Sequence, residues 1–220
     1  MDQELKNNVL KTGTSLVGIV CKDGVVLAAD RRVTLGGQVV AQKDFYKVYT
    51  LNDYLAVSVS GQVSDAQVAL RVIAAQIKLK ELKAKKRLSM KEAANFISTF
   101  YFQNIRQPSM IPAIVGSLVA GFNEDGTAEL YNISPDGAIN KISKYDASGS
   151  GTTFIWGLLE RQYKENMTID EGVQLAVESL KSSSERDAAS GSGIDVFTIT
   201  KDGIKQVVKQ EIIAEFKDRN

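Results

Sequence analysis

The sequence predicts an α+β fold of four layers, an αββα sandwich in which two antiparallel sheets pack face to face and a pair of helices covers each outer side. Three observations point there. Apolar segments of strand length come in pairs around tight-turn dipeptides, two blocks of helical periodicity each hold two consecutive helices, and the order is strands, two helices, strands, two helices, strands. Single helices between strands would signal βαβ units and a parallel sheet. Helices arriving in pairs between hairpins instead cover the outside of stacked antiparallel sheets.

The elements follow in chain order. "SLVGIVCKDGVVLAADRRVT" carries apolar and small residues on either side of Asp23-Gly24, a dipeptide suited to a tight turn, so residues 15–20 and 25–29 read as paired strands. "KVYTLNDYLAVSVSG" repeats the design with Asn52-Asp53 at the turn. From Ser64 the period changes: Leu70, Ile73 and Ile77 share a helix face, and Ser64 and Asp65 suit its N-terminus. "SMKE" gives Ser89 and Glu92 the spacing of a capping box, opening a second helix through Phe96 and Phe100. Strands follow in "PAIVGSLVAGF", "TAELYNI" and "AINKISK", the last two joined around Pro135-Asp136-Gly137. A third helix, "TTFIWGLLERQYK", and a fourth, opened by Thr168 and Glu171 of "TIDE", precede the hairpin "GIDVFTITKDGIKQVVK". Phe154 and Trp156 on the third helix read as core.

At 220 residues, with no interdomain linker, one domain is the expectation. The chain is 44% hydrophobic and 24% charged with a formal charge of +1, a balance that recruits neither nucleic acid nor an anionic membrane. The basic run at residues 78–87 reads as the solvated C-terminal end of a helix. The charged N-terminal segment is no secretory signal and no apolar run is long enough to span a bilayer, so the cytoplasm is expected and the Asn132 and Asn166 sequons carry no weight. The chain has one cysteine, Cys21, and no histidine. That composition excludes a disulfide within the chain, a Cys/His zinc site, a Ser-His-Asp triad and a Cys-His dyad. An enzyme of this composition acting through a nucleophile must use an amine or a carboxylate as base.

Against that background "LKTGTSLVGIV" raises a choice. Gly13-Thr14 is either a plain strand start or a bond to be cut, leaving Thr14 with a free α-amine whose pKa, about 7.7–8.0, lets it accept the proton of its own hydroxyl. In "AADRRVT", Asp30 and Arg32 either hold a lysine or mark where the chain meets water. Lys47 stands at a strand start beside apolar residues, where its charge would favour a deprotonated hydroxyl, or is solvated like most lysines. "SVSG", ending in Gly61, offers backbone N–H groups to an oxyanion or is a simple turn. "DASGSGTTF" and "ERDAASGSGID" are flexible loops or sites of close backbone approach, and neither has the spacing of a phosphate loop.

Taken in order, "TGTSLVGI", "KDGVVLAADRRVT", "SVSGQVSDAQ", "SGSGTTFIWGLLE" and "MTIDEGVQLAVESLKSSSERDAASGSGIDV" resemble the β-type subunits of the 20S proteasome, the archaeal form most closely, within the N-terminal nucleophile hydrolases. The resemblance runs from Gly13 to about Val208. It implies that residues 1–13 are a propeptide removed by autolysis at Gly13-Thr14 and that residues 14–220 are the hydrolase domain. It implies Thr14 as nucleophile, Asp30 and Lys47 as the acid and lysine beside it, Gly61 as oxyanion donor, and Ser150, Asp187 and Ser190 as the cluster holding the α-amine and a water. Thr34 and Val63 match positions that pair with the substrate backbone; Val33, Phe45 and Val59 match the lining of the pocket for the residue before the cut. Two departures stand out: residues 34–47 run one residue longer than usual, making Lys43 the alternative lysine, and the start reads Thr-Ser-Leu where Thr-Thr-Thr is commoner.

The resemblance further implies a threonine-type endopeptidase that needs no metal or cofactor and acts on unfolded polypeptides. Its partners would be other β subunits in seven-membered rings, α-type subunits completing a twenty-eight-subunit core particle, and an ATPase regulator. The alternatives are a non-catalytic ring subunit that keeps its propeptide and an amidase of the same wider family.

Overall fold

Twelve strands and four helices follow one another along residues 13–213, the part of the chain that the computed structural model describes. The first sheet has the order β10-β1-β2-β11-β12, from β1 (Ser15–Cys21), β2 (Gly24–Asp30), β10 (Tyr145–Gly149), β11 (Gly193–Thr200) and β12 (Gly203–Glu211). The second has the order β5-β6-β7-β8-β9, from β5 (Val48–Asn52), β6 (Leu55–Gly61), β7 (Val115–Phe122), β8 (Ala128–Ile133) and β9 (Ile139–Ile142). All neighbours in both sheets are antiparallel. A separate hairpin pairs β3 (Val33–Leu35) with β4 (Val39–Gln42). Helices α1 (Val63–Ala84) and α2 (Met90–Ile105) follow β6, and α3 (Thr152–Gln162) and α4 (Ile169–Arg186) follow β10.

The layering is written in the strand period. In β2, Val26 and Ala28 face α3 and α4, while Val25, Leu27 and Ala29 face the other sheet. In β6, Leu55, Val57 and Val59 face α1 and α2, while Ala56 faces the first sheet. Successive side chains on a strand point to opposite faces, so a central strand covered on both sides is apolar throughout. The space between the sheets is filled by Leu16, Leu27, Leu118, Leu130 and Ile199. Small residues let the layers close. A Cβ at Gly18 would come 2.9 Å from Leu130.

Helix starts follow the sequence where side chains cap them. Ser89 and Thr168 each accept from the backbone N–H three residues on, and Glu92 and Glu171 reach back, completing both capping boxes. At α1 the expected Ser64 and Asp65 start is replaced by Gln62 as N-cap, with no side-chain cap; entry from β6 fixes this end. Among the described residues no helix is long and apolar enough to cross a membrane.

Other expectations need correction. The first turn is Lys22-Asp23, and Gly24 opens β2 opposite Cys21; a Cβ on Gly24 would lie 2.4 Å from the Ile199 oxygen, so close approach to β11 selects the glycine. The second turn is Asp53-Tyr54, with Asn52 Oδ1 accepting the Tyr54 N–H at 3.0 Å. β10 and the β3–β4 hairpin carry no strong apolar period and escape the sequence reading. The hairpin turns at Gly36 and Gly37, whose positive φ (61° and 74°) favours glycine. Phe154 and Trp156 are not core: they lie 38% and 45% exposed on α3.

Cys21 is sealed between β1 and α4, where a Cβ on Gly172 would come 2.5 Å from its sulfur. Burial, with Asp23 and Glu171 nearby, pushes its thiol up to about 12. The thiolate is the reactive form, so the folded protein is expected to resist a disulfide-exchange reagent at pH 8 and to react fully in denaturant. Absorbance of the released thiolate checks it; rapid modification of the native chain would contradict this packing.

Candidate active site

One end of the sandwich gathers polar residues from both sheets. Thr14 stands directly before β1, Asp30 ends β2, Lys47 directly precedes β5, and Gly61 ends β6. Ser150 lies between β10 and α3; Asp187 and Ser190 lie between α4 and β11. Register makes the gathering inevitable: Leu16 pairs with Ala29 and Ile194 with Asp30, so the start of β1, the end of β2 and the start of β11 share one edge.

Asp30 is fully buried and its carboxylate is saturated. Oδ1 accepts from Lys47 Nζ at 2.6 Å and from the Ser15 N–H at 2.9 Å; Oδ2 accepts from the Arg32 N–H at 3.0 Å and the Gly191 N–H at 2.9 Å. All four partners are donors, as an ionised carboxylate requires. Lys47, 3% exposed, also donates to the Gly13 oxygen at 3.2 Å. Lys43 is exposed. Burial holds the Lys47 ammonium below its ordinary value of 10.5, and the Asp30 carboxylate pulls the other way.

Thr14 is buried. Its hydroxyl donates to the Gly13 oxygen at 2.6 Å, so that carbonyl accepts from both Thr14 Oγ1 and Lys47 Nζ. The Thr14 N–H donates to Ser150 Oγ at 3.1 Å. Ser150 and Ser190 both donate to Asp187 Oδ2, at 2.5 and 2.6 Å. With the Ser190 proton so committed, the 2.8 Å contact between Ser15 Oγ and Ser190 Oγ runs from Ser15 as donor. Thr34 Oγ1 accepts the Gly13 N–H at 3.2 Å.

One hydrogen-bonded network thus joins Thr14, Asp30, Lys47, Ser150, Asp187, Ser190 and Thr34. The other sequence-nominated positions lie as follows. Val59 is buried under α1 and α2, its N–H bonded to the Lys47 oxygen at 2.9 Å. Gly61 follows two residues on at φ 113°, a conformation that favours glycine. Val33 in β3, Phe45 before β5 and Val63 at the head of α1 are half-buried. Residues 1–12 of the expected propeptide lie outside the described residues.

Sequence reasoning missed Ser15, whose role arises only when the loop between α4 and β11 folds over the start of β1. It left Arg32 open between site and solvent. Arg32 reaches the loop after α4, with Nη1 on the Ala188 oxygen at 2.9 Å and Nε on Ser192 Oγ at 3.2 Å. Gly191 lies beneath it at φ 134°, a backbone conformation that favours glycine.

Comparison with known proteins adds identity to geometry. Residues 10–199 match the family profile described as Proteasome subunit. The chain is 38% identical over 208 residues, covering 94% of itself and 93% of the relative, to Proteasome subunit beta of Methanococcus maripaludis. It is 38% identical over 204 residues to the protein of the same name from Methanopyrus kandleri, covering 92% and 95%. With that of Methanocaldococcus jannaschii the identity is 36% over 200 residues, covering 91% and 87%.

Two outcomes are expected of substitutions here. Lys47→Met strands a buried carboxylate and should cost about 3–5 kcal/mol in chemical denaturation. Because the folded Lys47 value lies below 10.5, the unfolded chain binds the extra proton between the two values. Wild-type stability relative to Lys47→Met should therefore rise as pH climbs through that window, and a flat difference would contradict it. Gly13→Ala would drive a methyl to within 1.8 Å of Ala189 Cβ and displace the Gly13 carbonyl. Any cleavage after residue 13 should slow strongly by intact mass, with less effect on overall folding.

Proposed function

The chain belongs to the proteasome subunit family as a β-type member, and from that premise we propose that it is a threonine-type endopeptidase of the core particle with Thr14 as nucleophile. The observation that carries this reading is the Gly13 carbonyl. It accepts hydrogen bonds from the hydroxyl of the following residue at 2.6 Å and from a buried lysine at 3.2 Å, both of which polarise it.

In the maturation step Thr14 Oγ adds to the Gly13 carbon, and Lys47 Nζ lies beside the oxygen that gains charge. The Gly13–Thr14 C–N bond then breaks with the proton passing to nitrogen, leaving an ester between Gly13 and Thr14 Oγ. Water hydrolyses the ester, which releases residues 1–13 and restores the Thr14 hydroxyl beside the amine that the acyl shift freed. In turnover that amine, with a pKa of about 7.7–8.0, takes the hydroxyl proton directly or through water. Thr14 Oγ is acylated by the substrate and water deacylates it. The Gly61 N–H is assigned to the oxyanion of the tetrahedral intermediate, from its position in the family pattern.

The remaining groups fit this chemistry. Asp30 keeps Lys47 oriented while four donors fix Asp30 itself. Ser150 bonds the nitrogen that becomes the amine, and Asp187 and Ser190 fix Ser150. Thr34, which accepts the Gly13 N–H, is assigned to substrate backbone, with Val63 opposite and with Val33, Phe45 and Val59 around an apolar pocket. The same reading assigns the chain to seven-membered β rings between α-type rings, fed with unfolded polypeptide by an ATPase in the cytoplasm. Enclosure suits a site whose base, the Thr14 amine, appears only on cleavage.

Co-expression with an α-type partner followed by intact mass and peptide hydrolysis tests this. The assembled chain should begin at Thr14. Thr14→Ala should retain residues 1–13 and lose hydrolysis by about 10³-fold or more, since the residue supplies nucleophile and base together. A wild-type chain still starting at Met1 in an active particle would assign the chemistry to another subunit.

A further inference from the structure

Among the described residues Arg31 is the largest side chain without exposed surface, and the chemistry above makes no use of it. Side chains at successive strand-end positions diverge, so Asp30 turns into the site while Arg31 turns away from it. Its guanidinium meets three carboxylates on three segments: Asp44 between β4 and β5, Asp195 of β11, and Glu211 at the end of β12. Nε lies 3.5 Å from Asp195 Oδ2 and Nη1 3.7 Å from Glu211 Oε1, whereas Nη2 makes its close hydrogen bond to Asp44. The guanidinium carbon stands 5.0 Å from the centre of the Tyr46 ring. The Arg31 oxygen accepts the Phe45 N–H at 3.1 Å, and its N–H donates to the Gly191 oxygen at 3.1 Å.

Arg31 thus grips residues 44, 45 and 46, the three that lead into Lys47. A guanidinium withdrawn from water is costly unless it is paired. Asp195, 1% exposed, already supplies a buried counter-charge from the strand beside it. Asp44 is different. Its side chain is 62% exposed and belongs to a segment with no strand hydrogen bonding of its own, so the bond to Arg31 fastens a connection. A lysine side chain has four rotatable bonds, and its amine meets Asp30 only if its backbone is held in register.

We infer that Arg31 is a positioning residue, fixing the segment of residues 44–46 so that Lys47 reaches Asp30 and the Gly13 carbonyl. The inference rests on the peptidase reading. It holds that the two neighbours Asp30 and Arg31 secure one connection from opposite sides, Asp30 by the lysine amine and Arg31 by the residues before it. Its consequence is kinetic: a misplaced amine affects bond making in the transition state, while the surfaces that bind the substrate backbone stay as they are.

The test compares Asp44→Asn, Asp44→Glu and Glu211→Gln in the assembled particle, with turnover normalised to chains whose mass begins at Thr14. Asp44 and Glu211 are both largely exposed and both face the same guanidinium, so neither change opens a cavity. Asp44→Asn is expected to lower kcat by about 10- to 100-fold, the cost of a small misplacement near the reacting atoms, with KM rising by a smaller factor, since Phe45 of the same segment is assigned to the pocket. Asp44→Glu should recover most of kcat, and Glu211→Gln should leave kcat within about twofold, because Glu211 does not lead into Lys47. An unchanged kcat in Asp44→Asn overturns the inference, as does an equal fall in Glu211→Gln, which would mark a general loss of stability. Thr14→Ala separates the two readings. Hydrolysis that survives Thr14→Ala removes the peptidase reading and this inference with it, whereas hydrolysis lost in Thr14→Ala but unchanged in Asp44→Asn removes the inference alone.

Discussion

The buried ion pair between Asp30 and Lys47 ties the structure together, because its two members arrive from different sheets. Asp30 ends β2 in the first sheet and Lys47 precedes β5 in the second, and their atoms meet at 2.6 Å where neither residue is more than 3% exposed. Two charges withdrawn from water are tolerable only when their geometry is good and the remaining lone pairs are satisfied. The satisfaction comes from the backbone of three segments, Ser15, Arg32 and Gly191, so the pair forms only when β1, β2 and the loop into β11 are in register. The polar end of the sandwich therefore reports on the packing of the whole.

That packing is close wherever chemistry is proposed. Gly13 has no room for a Cβ beside Ala189, and a Cβ at Gly149 would meet the Thr14 oxygen at 2.1 Å. Gly151 is crowded by Ser15 Oγ in the same way, at 2.0 Å. These glycines let the start of β1, the end of β10 and the start of α3 share a space that side chains would fill. The Gly13 carbonyl consequently stands between Thr14 Oγ1 and Lys47 Nζ, and the Thr14 nitrogen stands against Ser150. The serine and glycine stretch that the sequence left open between a flexible loop and a site of close backbone approach is a site of close approach.

Much of the architecture was legible because it is local. Period-2 runs around short turns gave the hairpins of β1–β2, β5–β6 and β11–β12; Ser89 and Thr168 gave two helix starts to the residue; and the pairing of helices gave the four layers. The misreadings share a cause. Gly24 is a glycine for its neighbour β11 and not for a turn, β10 is held by pairing with β1 and not by an apolar period, and α1 starts where β6 delivers it. Phe154 and Trp156 are apolar yet lie on the outer face of α3, a direction that composition does not encode.

The sequence by itself determined the class of fold, the missing histidines that leave an amine or a carboxylate as the available bases, and, through the resemblance its motifs carry, Thr14 and Asp30 with either Lys47 or Lys43 as a set to look for. Only the tertiary structure decided that Lys47 and not Lys43 meets Asp30, that Ser15 feeds Ser190, and that Arg31 is buried among Asp44, Asp195 and Glu211. Spacing along a chain fixes which residues share a strand face or a helix turn. Which charges end up within bonding distance across two sheets depends on register and burial, and those are settled by all the strands at once.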